Sequence, residues 1–162
     1  MMGWKAAAGI SLAVLLLAGC AQGDAKTDIY GDDAAIAQSG DSFSYVERIG
    51  GVLAMEADLK FKKFSGADTL WVVDAPADST LTISYEQLLS RGKCKIVLVS
   101  PEGQNTVVAE GSGGGKEELT LKPGLSRIKL VGDRGEGRVN VQITEKDYGT
   151  GVETVDSGGF GE

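Results

Sequence analysis

The ten residues Leu53-Ala54-Met55-Glu56-Ala57-Asp58-Leu59-Lys60-Phe61-Lys62 decide the fold class. Leu53, Met55, Ala57, Leu59 and Phe61 share one parity, and Glu56, Asp58, Lys60 and Lys62 share the other. A period of two puts all four charges on one face of an extended strand. A helical period would mix charged and apolar groups on every face. The alternation returns twice. Leu81, Ile83 and Tyr85 alternate with Thr82, Ser84 and Glu86, and Val139, Val141 and Ile143 alternate with Arg138, Asn140, Gln142 and Thr144. Segments 69–73 and 96–99 are largely apolar on both parities, which predicts strands covered on both faces.

Turn chemistry separates these runs. Pro76 follows Asp74-Ala75, Ser100-Pro101-Glu102-Gly103 suits a type I turn, and Lys122-Pro123-Gly124 suits a type II turn. Gly132-Asp133-Arg134-Gly135 reads as a further reversal, and Gly111-Ser112-Gly113-Gly114-Gly115-Lys116 as a flexible loop. All three prolines fall between apolar runs, as they must, because proline has no N–H to give a sheet. Strands are predicted near 52–64, 69–74, 80–87, 93–100, 106–110, 117–121, 126–131 and 138–144. Tight turns make neighbours antiparallel, and amphipathic sheets hide their apolar sides by facing one another. The expected fold is all-β, an antiparallel β-sandwich of about eight strands over residues 52–148. Jelly-roll and immunoglobulin-like topologies both remain open. The flanks lack apolar periodicity, so 20–51 reads as an acidic tether and 149–162 as a disordered Gly-rich tail.

At the N-terminus, Lys5 precedes an apolar and small-residue run from Ala6 to Ala18. That run falls short of the roughly 20 apolar residues that span a bilayer, and it suits the apolar region of an export signal. It closes in Leu17-Ala18-Gly19-Cys20, which resembles the lipobox of bacterial lipoprotein signal peptides. The resemblance implies removal of residues 1–19, diacylglycerol on the Cys20 thiol, and a lipid membrane as partner through that group. Ala21 in the following position implies the outer membrane in a two-membrane bacterium. In a one-membrane bacterium the address is the outer face of the plasma membrane. With Phe64-Ser65-Gly66 and Leu70-Trp71, the whole chain resembles uncharacterised lipoproteins of gut Firmicutes. From Lys93 to Ile143 the order of strands and Pro-Gly turns resembles small extracellular sandwiches of the carbohydrate-binding and pre-peptidase C-terminal kind.

The net charge of −7 resides in the flanks, because 52–148 holds 14 acids against 13 bases. A near-neutral globule offers no electrostatic footprint for nucleic acid. With Cys20 consumed by lipid, Cys94 has no partner for a disulfide, and its parity with Ile96 and Leu98 predicts a small buried apolar side chain.

The chain has no histidine, which removes Ser-His-Asp and Cys-His catalysis and the usual zinc sites. Glu56, Glu86 and Glu110 alternate with apolar neighbours as solvated faces do, so no catalytic residue is assigned. Asp32-Asp33, Asp74 with Asp78, and Asp133 with Glu136 put carboxylates in turns without a calcium-loop spacing, and no metal or cofactor is expected beyond the lipid on Cys20. Trp71 and Tyr85 are the aromatic candidates for a ligand surface, against the alternative that both are core. The expected role is that of a membrane-anchored, non-catalytic binding or accessory module. Its partner would be a cell-surface glycan or protein, and a carbohydrate-binding lipoprotein using Trp71 is the second reading.

Overall fold

A computed structural model describes residues 28–155. The expected export signal 1–19, the expected lipidation site Cys20 and the end of the expected tail lie outside the described residues. A 3-10 turn (Asp28–Gly31) and a four-residue helix, α1 (Asp33–Ile36), precede eight strands. These are β1 (Ser42–Ser44), β2 (Glu47–Val52), β3 (Glu56–Ala75), β4 (Ser79–Val99), β5 (Asn105–Glu110), β6 (Gly113–Leu121), β7 (Gly124–Lys146) and β8 (Gly151–Thr154). Every pairing is antiparallel. The order is β1-β3-β7-β4-β5, with β2 and β8 also on β3 and β6 also on β4.

Strands usually run about five or six residues, yet β3, β4 and β7 run 20, 21 and 23. They are long because each passes through both layers of the sandwich. The Trp71 indole Nε1 donates to the Leu53 carbonyl at 2.9 Å. Eighteen residues of straight strand would hold those two positions roughly 60 Å apart, so the sheet is folded over on itself. The first layer pairs β2, the start of β3, the end of β7, the start of β4 and β6. The second layer pairs β1 and β8 with the end of β3, then the start of β7, the end of β4 and β5.

The fold line crosses the sheet at irregular register. The β3–β7 ladder shifts between Phe61 and Phe64 and again between Phe64 and Gly66, and the β4–β7 ladder shifts between Leu89 and Lys93. These bulges also repair the alternation. Along β7 the core-facing residues are Ser126, Ile128 and Leu130 before the corner, and Val139, Val141 and Ile143 after it. Along β4 they are Leu81 and Ile83, then Cys94, Ile96 and Leu98. A change of parity at an unbroken strand would turn charges inward, and an inserted residue avoids that.

Between the layers lies one core, which includes Leu59, Phe61, Phe64, Trp71, Leu81, Ile128, Leu130 and Val141. A second, smaller core sits on the outer face of the second layer. There Ile36 of α1 covers Ala67, Val97, Val99 and Val131, with Ile29, Tyr30 and Ala37 around it. This N-terminal arm is fastened by polar contacts too. The Asp41 carboxylate accepts from the Thr69 backbone N–H at 2.9 Å and the Thr69 hydroxyl at 2.6 Å. Lys129, with no exposed side-chain area, donates to the Gln38 carbonyl at 2.6 Å and lies 3.4 Å from Asp41.

The all-β, antiparallel expectation holds, but several boundaries move. The tether expected over 20–51 is packed structure from residue 28 onward, because its apolar residues are spent sealing the second core and β1 and β2 extend the β3 edge. Gly151–Thr154, expected in the tail, pairs with Trp71–Asp74. Three pairs of expected strands fuse into β3, β4 and β7, while β1, β2 and β8 are added, so the number stays at eight. Gly113 to Lys116, expected as loop, pairs with Ser84 to Gln87 in β6. The opening run also begins later than its pattern implied: Leu53 is 69% exposed, and burial starts at Ala57.

Candidate functional site

The same bulges that fold the sheet build a wide cleft. Four passages of chain meet there: Ser44 to Val46 between β1 and β2, Lys63 and Ser65 on β3, Arg91 to Lys93 on β4, and Asp133, Arg134 and Glu136 on β7. The cavity measures about 720 Å³, within the range of small-molecule sites. Two non-glycine residues among those described have positive φ, Lys63 at 49° and Arg134 at 48°. Both line this cleft, and Gly92, at 66°, stands between Arg91 and Lys93. Left-handed backbone costs a residue with a Cβ about 1–2 kcal/mol, and such strain gathers at functional sites.

Charge follows the same geometry. The cleft carries four cations, Lys63, Arg91, Lys93 and Arg134, against the carboxylates of Asp133 and Glu136. Only Arg134 is paired, its Nε 3.1 Å from Asp133. Lys63, Arg91 and Lys93 make no ion pair within the described residues. The described residues hold 20 acids and 14 bases, so this is a cationic notch in an acidic molecule.

The floor is rigid. The Tyr45 ring stacks on Phe64 with centroids 4.5 Å apart, and its hydroxyl donates to Asp68 at 2.8 Å. Burial, reinforced by the Asp68 carboxylate, pushes the Tyr45 phenol far above its ordinary value. Arg48 lies over the same ring, 5.7 Å from its centroid. On the opposite side the Ser65 hydroxyl accepts from the Arg134 backbone N–H at 2.9 Å, tying the two strained strands together. Tyr30 of the N-terminal arm lies against the end of β4, with Lys95 Nζ 4.5 Å and Lys93 Nζ 5.7 Å from its ring centroid.

A shallower groove on the outer face of the first layer measures about 530 Å³, between β2, β3 and Arg138 of β7. Apart from Lys60, its charged side chains have partners. Arg138 forks onto Asp58 at 3.0 and 2.6 Å, and Glu56 accepts from Asn140 and Gln142, both at 3.1 Å. The Arg138 guanidinium holds the Asp58 carboxyl below its ordinary value.

The residues singled out from sequence are scattered. Trp71 is fully buried, so its face is closed to a ligand, and Tyr85 is half-buried against the main core and Gly115. Trp71 belongs to the core, and Tyr85 packs at its margin. The Cys94 thiol is buried and held well above its ordinary pKa by desolvation. Glu86 is exposed on the outer face, and Glu110 accepts the Tyr30 hydroxyl at 2.6 Å. Asp32 caps α1 by accepting from Ala34 and Ala35, and Asp78 lies 3.5 Å from Lys122. No three His, Cys, Asp or Glu side chains converge as metal ligands among the described residues. No described helix is long and apolar enough to cross a membrane.

The cleft residues went unassigned because Lys63 and Lys93 read as the ends of two separate strands, Arg91 as part of a connection and Arg134 as part of a reversal. Their one visible sign was the placing of charges beside glycine, in Arg91-Gly92-Lys93 and in Asp133-Arg134-Gly135. No protein-family model matches the chain, and no curated protein matches it.

Proposed function

We propose that this protein is a lipid-anchored, extracytoplasmic binding module without catalytic activity, and that the corner cleft is where it binds. The observation that carries this reading is that Lys63, Arg91 and Lys93, none of them in an ion pair within the described residues, line one cavity of about 720 Å³ at the bulged corner, with Lys63 held at positive φ. A fold needing only a corner has no use for lysine in a left-handed conformation, where glycine would serve at lower cost. The ligand meets charge and hydrogen-bonding groups at this site, since Trp71 is closed off in the core.

The anchor supports the same role. Seven residues, 21–27, lie between Cys20 and the first described residue. At about 3.3 Å each they reach at most roughly 25 Å, so the module works close to the bilayer. Two acyl chains on one cysteine give stable attachment where a single chain is marginal.

Replacing Cys20 with Ala should move the protein from the membrane fraction to the soluble fraction of its host. Retention in the membrane would overturn the anchor. Cosedimentation of a chain beginning at residue 21 with purified cell envelope tests the module itself, and saturable retention is the expected result.

A further inference from the structure

We infer that the corner cleft takes a hydroxylated anion, meaning a carboxylate or phosphate group carried on a sugar or polyol. This rests on the binding-module reading above and names the ligand class for the same site. Arg91 offers a planar fork and Lys63 and Lys93 offer ammonium groups, all without carboxylate partners. That set matches the oxygens of one carboxylate or phosphate.

The two acids choose the rest of the ligand. Asp133 and Glu136 line the same cavity, leaving an excess of two positive charges. A polyanion would meet their repulsion along its length. Sugar hydroxyls, in contrast, donate to carboxylates, and the hydroxyls of Ser44 and Ser65 extend the polar lining. A cavity of about 720 Å³ exceeds what a bare phosphate fills and accommodates two or three sugar rings. An acidic peptide would leave Asp133 and Glu136 facing its own carboxylates.

Calorimetric titration of the chain beginning at residue 21 tests the inference, because both cores lie within residues 28–155. The probes are maltobionate, which carries one carboxylate on a polyol, glucose 6-phosphate, neutral maltotriose and polyaspartate. The expected result is saturable binding of maltobionate or glucose 6-phosphate, weakened by added salt, with the better of the two telling carboxylate from phosphate. The double variant Lys63→Gly, Arg91→Gln should bind at least tenfold more weakly. Glycine suits the positive φ at 63 and Arg91 is exposed, so the variant keeps its fold, which its circular dichroism checks. Equal binding of maltotriose, binding of polyaspartate alone, an unaffected double variant, or no binding to any probe would each overturn the inference. Envelope cosedimentation that persists in the double variant would place the module's binding elsewhere. Loss of all retention by the parent chain would sink the binding-module reading itself.

Discussion

Gly92 and Lys63 occupy the same kind of backbone at the same corner, with opposite consequences. Gly92 has φ of 66°, and a Cβ there would run into the carbonyl oxygens of Arg134 and Asp133 on β7. Gly92→Ala combines that clash with left-handed strain, so a loss of about 2 kcal/mol or more is expected from the urea midpoint. An unchanged midpoint would mean that the corner can open without penalty. Lys63, at 49°, carries the strain with its Cβ already in place. Lys63→Gly should therefore raise stability by up to about 1 kcal/mol while it weakens the cleft, and a loss of stability would deny the strain.

Two devices act at the level of whole elements. The first is the parity change within β4 and β7, which lets one strand serve two layers. The second is the N-terminal arm, held down by Ile36 and by Lys129 beneath it. Lys129→Met strands Asp41 without its cation. Breaking a buried pair typically costs about 3–5 kcal/mol, and the lower end applies because Asp41 keeps both Thr69 donors. The expected outcome is faster amide exchange over 28–41, with the strands of the main core still protected. Burial holds the Lys129 pKa below the usual 10.5, with Asp41 opposing that shift in part. Between the lowered value and 10.5 the unfolded chain binds more protons than the native one, so this group adds stability as pH rises. The stability of the parent relative to Lys129→Met should therefore grow through that alkaline window, and a constant difference would place the ammonium in water.

Across the molecule, three strands thread both layers, so neither layer can unfold and leave the other intact. Unfolding is expected as a single transition, with Trp71 emission and far-ultraviolet dichroism changing together. Trp71 suits this measurement because Trp4, the other tryptophan, is left out of a chain beginning at residue 21, and because its ring lies between the layers. Separate midpoints would show that the fold line divides the sheet into independent units. Folding should also be slow for a domain of this size, since pairs such as Glu56 with Gln142 close long loops before they stabilise anything.

Much of this architecture was legible in the chain because it depends on local periodicity. Alternation along 56–62 and 138–144 dictates half-buried strands, and glycine and proline dictate where the tight turns fall. Apolar residues on both parities at 96–99 announced a strand covered twice, and Val97 and Val99 do meet the arm while Ile96 and Leu98 meet the main core. The residue types at 91–93 and 132–135 read equally well as the end of one strand or as a bend within a longer one. A bend and a break share the same local chemistry, and only the pairing of both halves of β4 with β7, and of both halves of β7 with β3 and β4, separates them. The arm went unseen for a related reason: Ile29 and Ile36 in a stretch of aspartate, glycine and alanine carry too little periodicity, and the burial of Ile36 depends on an apolar face more than thirty residues away. The cleft needs the most of the fold. Its cations lie on three strands that become neighbours only when the sheet closes, so the local chain determined the strands and the long-range pairing made the site.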